Sequence, residues 1–546
     1  MIQQERIDGI SYTHMIEGAT ANLKAHAEEV DNLNVFPIPD GDTGENMLMT
    51  MLGGEGSKSE TENLAEAAKK ISGGMLFSAR GNSGVILSQF FEGITAGLSE
   101  FYDADAEQLG SAFRCGVEYA YKAVMEPTEG TILTVIREAT EYACSAEAKT
   151  PCEFLDAFIK EAKASLLRTP DLLPVLKKAG VVDSGGAGLI YIVEGMKKAL
   201  SGDLDFTDEA GEKPKSEELD FSLFDENSEL EFGYCTELLL RLQTKKCDID
   251  SFETRTVTDY LSTIGDSIVA VKNGSIVKIH VHTMTPYKVL EFCQKFGEYL
   301  KVKIENMSLQ HNNTESAREV AAVTERREFA VVAVASGDGL KENFLERGAD
   351  VIVDGGQSMN PSAEDFIEAF DKASADNIFV LPNNSNIILT AIQASKLYEG
   401  SRIYVLESRN IGEGYAALSM YDTTSGDAEE IFESLKDGMQ GVITAEISRC
   451  VRDANIENSE IHTGDYIGFS GKALLGKSTV RTEALLETLE NVGLEKYDIC
   501  ILFVGRDAGM EEGERMEAEI SKRYKGKEIY IINGNQEVYD YIIVIE

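Results

Sequence analysis

The hydrophobic pattern changes period partway along the chain, and this change constrains the fold more than any other feature. Up to about residue 200, apolar residues recur at helical spacing. "YTHMIEGATANLKAHAEEVDNL", "TENLAEAAKKISGGMLFSA", "DAEQLGSAFRCGVEYAYKAVM", "TILTVIREATEYACSA" and "EFLDAFIKEAKASLLRT" all show it. Each segment carries one apolar stripe and must bury it against another, which predicts an all-helical bundle with glycine-rich joints. From Phe329 the apolar residues come as short unbroken runs: "FAVVAVAS", "ADVIVDGG", "NIFVLPNN", "RIYVLES" and "ICILFVG". Such β-branched runs, alternating with helical segments, predict parallel strands buried on both faces. "EISRCVRDANIENSEIHTGDYIGFSGKALL" is expected to form an antiparallel part.

Two polar stretches separate these textures. Residues 201–232 are mostly acidic with weak periodicity and read as a linker. Residues 309–328 form a second one. Between them, residues 233–308 hold two strand-like runs, "YCTELLLRLQT" and "GSIVKIHVHT". "FETRTVTDYLSTIG" is expected to be a helix between them, and "PYKVLEFCQKFG" a helix after them, giving a small α/β module. The expected order is therefore a helical domain over 1–200, a linker, a middle module, a second linker and an α/β domain over 329–546.

Charge narrows the function classes. The formal charge is -43, from 94 acidic and 51 basic residues, which argues against a nucleic-acid surface or attachment to anionic lipid. No apolar run reaches the roughly 18 residues of a membrane span, and the N-terminus lacks a secretion signal. Eight scattered cysteines without a CxxC pair point to a reducing, cytoplasmic setting rather than a disulfide framework.

The helical region also carries polar glycine loops. In "NVFPIPDGDTGENM", Asp40 and Asp42 lie two residues apart beside Gly41 and Gly44. Carboxylates this close repel unless a cation lies between them, and magnesium prefers such oxygen ligands, commonly shared with phosphate. Thr43 is a candidate cap for the following helix, and Asn46 a candidate amide ligand. "SARGNSGVILSQF" places Ser83 and Gly84 ahead of an apolar helical run, and "EPTEGTILTVI" does the same with Thr131. "VVDSGGAGLIYIVEG" adds Asp183 and Gly185. Free amides at a helix N-terminus bind anions without a basic patch. The alternative for each loop is a glycine-rich helix contact. None matches a P-loop, and GxGxxG is absent from them.

"NVFPIPDGDTGENM", "SARGNSG", "EGTILTVIREA" and "DSGGAGL", in this order, resemble the nucleotide-binding (DhaL) component of the dihydroxyacetone kinases over residues 10–200. The whole chain resembles the kinase component of the bacterial fatty acid kinases, a fused relative of that domain. The resemblance implies a helical barrel binding ATP with two magnesium ions. Of the family's three metal aspartates, Asp40 and Asp42 match two. The first matches the neighbourhood of Asn34 and Val35, which leaves Asn34 or Asp31 as the third ligand. Thr43, Asn46, Ser83, Gly84, Thr131, Asp183 and Gly185 would complete the nucleotide pocket. The implied reaction phosphorylates a fatty acid carboxylate, held by a separate DegV-like lipid-binding protein, to acyl phosphate for phospholipid synthesis. A homodimer is expected on the same grounds.

In "VKIHVHT", His280 and His282 share a strand face if the segment is extended, and Cys235 lies on a candidate neighbouring strand. Cys plus two His is a candidate zinc set, the alternative being an ordinary sheet surface. The resemblance implies a Cys-His-His metal site here, with the histidines as further catalytic candidates. Residues 329–546 resemble the DegV-like lipid-binding proteins. There, Ser336, Asn383, Asn384 and Ser385 are expected at the carboxyl edge of a sheet, where ligands bind. Docking of the lipid carrier is the more economical role for this domain. Two other functions fit the residues: a kinase of a small hydroxylated metabolite such as dihydroxyacetone, and a nucleotide-sensing scaffold. The absence of a covalent substrate-binding histidine domain argues against the first.

Overall fold

Small side chains on the helical stripes let successive helices pack closely. The computed structural model describes residues 5–34, 41–58, 61–124, 127–202, 234–243, 245–247, 252, 255–261, 263–273, 276–306, 326–356, 360–424, 426–456 and 459–546. The two linker expectations, over 201–232 and 309–328, lie almost wholly outside these residues. So does Asp40.

The helical region contains α1 (Gly9–Asp31), α2 (Thr43–Gly56), α3 (Leu64–Ser78), α4 (Gly81–Leu98), α5 (Ala106–Ala123), α6 (Ile132–Ser145), α7 (Pro151–Leu172), α8 (Pro174–Ala179) and α9 (Ser184–Ser201). Each of the first seven packs on its sequence neighbour, and α9 returns to lie against α1. Their apolar stripes merge into one core. At its centre Phe113 meets Phe90, Phe154 and Phe158 edge-on, with ring centroids 5.5, 5.2 and 5.5 Å away. Edge-to-face packing of this kind favours aromatic pairs beyond the area they bury. Local caps set the helix starts. Asp8, Asn63, Asp105 and Thr150 each accept a backbone N–H from the first turn of the following helix.

The middle module forms a separate unit. Its strands are β1 (Tyr234–Leu242), β2 (Gly265–Asn273), β3 (Ile276–Thr283) and β4 (Gly297–Asn306), with helices α10 (Arg255–Leu261) and α11 (Pro286–Cys293). The sheet order is β2-β3-β1-β4, every pair antiparallel. Two of these strands, β2 and β4, are additions to the sequence reading. Leu238, Leu240, Val277, Ile279 and Val281 are buried in its core with Val257 and Val289 of the helices.

The described strands of the C-terminal region form a four-stranded sheet, a six-stranded sheet and a two-stranded ribbon. The first joins β5 (Arg327–Ala335), β6 (Val351–Asp354), β7 (Ala375–Leu381) and β8 (Arg402–Val405) in the order β6-β5-β7-β8. All its pairs are parallel, as the unbroken apolar runs predict. Its helices are α12 (Asp338–Glu346), α13 (Ala363–Ala373) and α14 (Ile388–Leu397), followed by α15 (Ile411–Ser419) and α16 (Ala428–Gly438). The second sheet contains β9 (Ile443–Arg449), β12 (Tyr466–Ser470), β13 (Ala473–Ser478), β14 (Ile499–Val504), β15 (Glu528–Asn533) and β16 (Tyr541–Ile545), while β10 (Ala454–Ile456) and β11 (Ser459–Ile461) pair apart from it. Its order is β13-β12-β9-β16-β14-β15, and only β14–β15 is parallel. The run "ICILFVG" is β14 and therefore belongs to this mixed sheet, a correction to the expectation of one parallel set. Apolar faces report burial on both sides, not the direction of the neighbouring strand. Two more helices, α17 (Arg481–Val492) and α18 (Met510–Arg523), complete the region.

Candidate active site

Four helices of the first region, α2, α4, α6 and α9, begin in the four polar glycine loops, and side chains tie these starts together. Asn34 Nδ2 donates to Thr43 Oγ1 at 3.2 Å. Ser184 Oγ reaches Asn34 Oδ1 at 3.2 Å and Thr43 Oγ1 at 3.3 Å. The first and fourth loops therefore meet at Asn34. Thr43 does not cap its own helix. That role falls to Asp31, at the end of α1, whose Oδ1 accepts the Gly44 N–H at 2.6 Å. Burial raises the Asp31 carboxyl above its ordinary range, opposed by N–H donation from Gly44 and Glu45. A Cβ on Gly44 would lie 2.3 Å from the Ala27 carbonyl oxygen, so only glycine lets α2 start this close to α1.

Asp183 joins the third and fourth loops. Its Oδ2 accepts the Gly186 N–H at 2.7 Å, capping α9, and the Ile132 N–H of α6 also points to it. Burial pushes this carboxyl up to about 6, against the pull of both N–H groups. Gly185 packs on Ile132, and Gly84 packs on Thr50 and the Asn46 backbone. These two glycines are thus helix contacts as well as loop residues. Thr131 opens α6 and donates its hydroxyl to the Thr128 carbonyl at 2.7 Å. Asn46 is buried in the first turn of α2, and Ser83 is half-buried in that of α4.

The second loop meets the C-terminal region. Arg80, extended before α4, forms a β-bridge with Ser362, and Ala363 N–H donates to Ala79 O at 3.3 Å. The Arg80 guanidinium donates to the Asn360 carbonyl at 3.2 Å. Asn360 Nδ2 in turn donates to Asp42 Oδ2. Arg452 donates to the Asn34 carbonyl at 2.5 Å, and its positive charge also favours the Asp31 carboxylate. Asn82 Nδ2 donates to Asn386 Oδ1 at 3.2 Å. Gly81 has φ +56 at the centre of this contact, where a Cβ would lie 2.6 Å from Asn46 Nδ2 and 3.4 Å from Asn360 Nδ2. The sequence reading missed Asn360 and Arg452.

The oxygen-rich character of this cluster fits a hard cation with phosphate. Two buried amide oxygens here, Asn82 Oδ1 and Asn360 Oδ1, have no hydrogen-bond partner among the described residues. A buried acceptor left unpaired is costly, so both suit a ligand donor or a metal-bound water. Among the described residues no group of three or more His, Cys, Asp or Glu could hold a metal. Asp40 and the side chains of Cys235, His280 and His282 lie outside that set. The backbone register alone places Cys235 opposite His282 and Glu237 opposite His280, with Asp266 opposite His282 on the other flank.

In the C-terminal region, Asn383 adopts φ 55 and is spent on structure. Its Nδ2 donates to Val334 O at 2.9 Å, and it pairs with Ser408 through both backbone and side chain. The adjoining cavity, lined by Ser336, Leu340, Asn384 and Tyr539, holds only about 50 Å³. Ligand pockets usually span roughly 300–1,000 Å³, so this conformation does not accommodate an acyl chain there. No helix among the described residues is long and apolar enough to cross a membrane.

Three family models match the chain: the DAK2 domain over residues 37–198, the FakA-like middle domain of the fatty acid kinases over 231–314, and the FakA-like C-terminal domain over 330–546. Protein YloV of Bacillus subtilis (strain 168) is 38% identical over 558 residues, covering 99% of each chain. The Streptococcus pneumoniae Fatty Acid Kinase (Fak) B3 protein loaded with linoleic acid overlaps 40% of this chain and 99% of its own at 13% identity, with a TM-score of 0.29. The dihydroxyacetone kinase from C. freundii in complex with AMP-PNP and Mg2+ overlaps 34% of this chain and 33% of its own at 20% identity, with a TM-score of 0.28. Both scores are too low to carry weight. The near end-to-end match to YloV does carry it, and with the three domain matches in order it shows that the chain belongs to the FakA-like family of fatty acid kinases.

Proposed function

We infer that the protein is an ATP-dependent phosphotransferase that phosphorylates the carboxylate of a fatty acid presented by a separate DegV-like lipid-binding protein. The products are acyl phosphate and ADP, and the acyl phosphate feeds phospholipid synthesis. The observation that carries this reading is the joining of four polar helix N-termini beside Asp42. Helix N-termini present N–H groups to anions, and their dipoles favour negative charge.

Asp40 and Asp42 would hold magnesium. Asn34 is the better third ligand, because Asp31 is committed to the start of α2. When bound, magnesium neutralises charge on the transferring phosphoryl group. The amides at the starts of α4 and α9 orient the nucleotide phosphates. An oxygen of the fatty acid carboxylate attacks the γ-phosphorus, and the bond to the β-phosphate oxygen breaks as ADP leaves. The nucleophile is already ionised at neutral pH, so no general base is needed to deprotonate it. A barrel closed by the helices of the first region, a paired assembly of two chains, and zinc held by Cys235, His280 and His282 belong to the same reading.

The test is ADP release with magnesium, ATP and a fatty-acid-loaded carrier, against controls without carrier, without lipid, or with dihydroxyacetone. Turnover only with the loaded carrier, with acyl phosphate formed, is the expected result. Asp42→Ala should abolish it. Turnover with dihydroxyacetone alone, or an active Asp42→Ala variant, would overturn the assignment.

A further inference from the structure

We propose that Asn360, contributed by the C-terminal α/β region, is a positioning residue of the phosphoryl-transfer site, so that the helical region is incomplete without it. The inference rests on the kinase reading above and extends it to a residue 318 positions from the aspartate it touches.

Three observations converge on Asn360. The residue is only 3% exposed. Its Nδ2 donates to Asp42 Oδ2, which fixes one oxygen of a candidate magnesium ligand and thereby sets where the other points. Its own Oδ1 is buried without a partner among the described residues, in the same cluster as the equally unpartnered Asn82 Oδ1. A buried unpaired acceptor costs stability, and this one is set apart by its own amide nitrogen, which is bound to a candidate metal carboxylate. An acceptor kept free beside a metal carboxylate suits a ligand or a metal-bound water.

The surroundings hold Asn360 in place. Pro361 follows it and limits the backbone. Ser362 then caps α13 in a capping box with Asp365. The Asn360 carbonyl accepts from Arg80, whose own backbone is bridged to Ser362. The residue is therefore fixed from both sides, by the cap of one region and the second glycine loop of the other. Pre-organised neighbours of this kind orient metal ligands. Gly81 beside it must be glycine because its φ is +56 and a Cβ would lie 2.6 Å from Asn46 Nδ2, while Asn360 Nδ2 stands at ordinary contact distance.

The experiment measures binding of the nonhydrolysable analogue AMP-PNP to the full chain during a magnesium titration. It compares the native protein with Asn360→Ala, Asn360→Asp and Gln393→Ala. Gln393 donates to Leu76 O at 2.6 Å within the same inter-region contact, so its removal loosens that contact without touching Asp42. Thermal melts of all four report folding. Asn360→Ala should raise the magnesium needed for half-maximal binding about tenfold, the effect of losing one hydrogen bond to a charged group. Asn360→Asp keeps the shape but sets a second carboxylate against Asp42, and should weaken binding most at low magnesium. Gln393→Ala should lower the melting temperature and leave the magnesium midpoint unchanged. An unshifted midpoint in both folded Asn360 variants overturns the proposal, as does an equal shift in Gln393→Ala. Failure of the native protein to bind AMP-PNP with magnesium instead overturns the kinase reading, and the proposal with it.

Discussion

Asp183→Ala tests how the candidate site is held together. In the native protein this carboxylate accepts the Gly186 N–H at 2.7 Å and a second bond from the Ile132 N–H, so one side chain serves the first turns of two helices. Both donors belong to buried residues. Loss of a helix cap costs about 1 kcal/mol, and a buried N–H left unpaired costs about 1–3 kcal/mol. Added together, these mean that the variant should lose about 2–4 kcal/mol of local stability. At about 1.4 kcal/mol per factor of ten, exchange of the Ile132 and Gly186 amides should then accelerate about 30-fold or more. Hydrogen–deuterium exchange followed by mass spectrometry over residues 128–136 and 182–190 reads this directly. It avoids treating a chain of several domains as a single two-state system. Asp183→Asn keeps one oxygen acceptor and should show a smaller effect. Exchange in Asp183→Ala within about threefold of the native rate would refute the double-cap account, since that corresponds to less than about 1 kcal/mol.

Two further outcomes check other parts of the molecule. Burial, with a smaller contribution from Glu413, pushes the Glu446 carboxyl on β9 up to about 8 from its ordinary 4.5. The folded state therefore holds a proton that the unfolded state releases near pH 4.5, so stability from this group is full below that pH and is lost as pH rises toward 8. Thermal melts across that window should decline more steeply for the native protein than for Glu446→Gln, and equal slopes would remove Glu446 as the cause. His282→Ala should lower the zinc content of purified protein measured by elemental analysis, and unchanged stoichiometric metal would exclude His282 from a zinc site.

Much of the local architecture was legible because periodicity is a local property. The stripes of α1, α3, α5, α6 and α7 and the apolar runs of β5, β6, β7 and β8 can each be read within the span of a single element. One of the two missed middle strands, β4, left a signal of the same kind. In "GEYLKVKIEN", Leu300, Val302 and Ile304 alternate with Lys301, Lys303 and Glu305, the two-residue period of a strand. The second C-terminal sheet was legible in part: β9, β12 and β13 fall in the stretch expected to be antiparallel and pair so, whereas the place of β14 depends on which distant strands pair beside it.

The candidate site divides the same way. The sequence by itself determined the four polar glycine loops, since tight turns and helix N-termini need those residue types in a short span. Only the tertiary structure decided what each side chain does there. Thr43 reads as a cap, yet Asp31, at the end of the preceding helix, reaches the α2 amides first. Asp183 reads as a ligand and serves two helix starts. Asn360 and Arg452 carry no local signal, because they meet the first loop across 318 and 418 residues of chain. A side chain's hydrogen-bond partner is set by packing between elements, and spacing along the sequence carries no record of it.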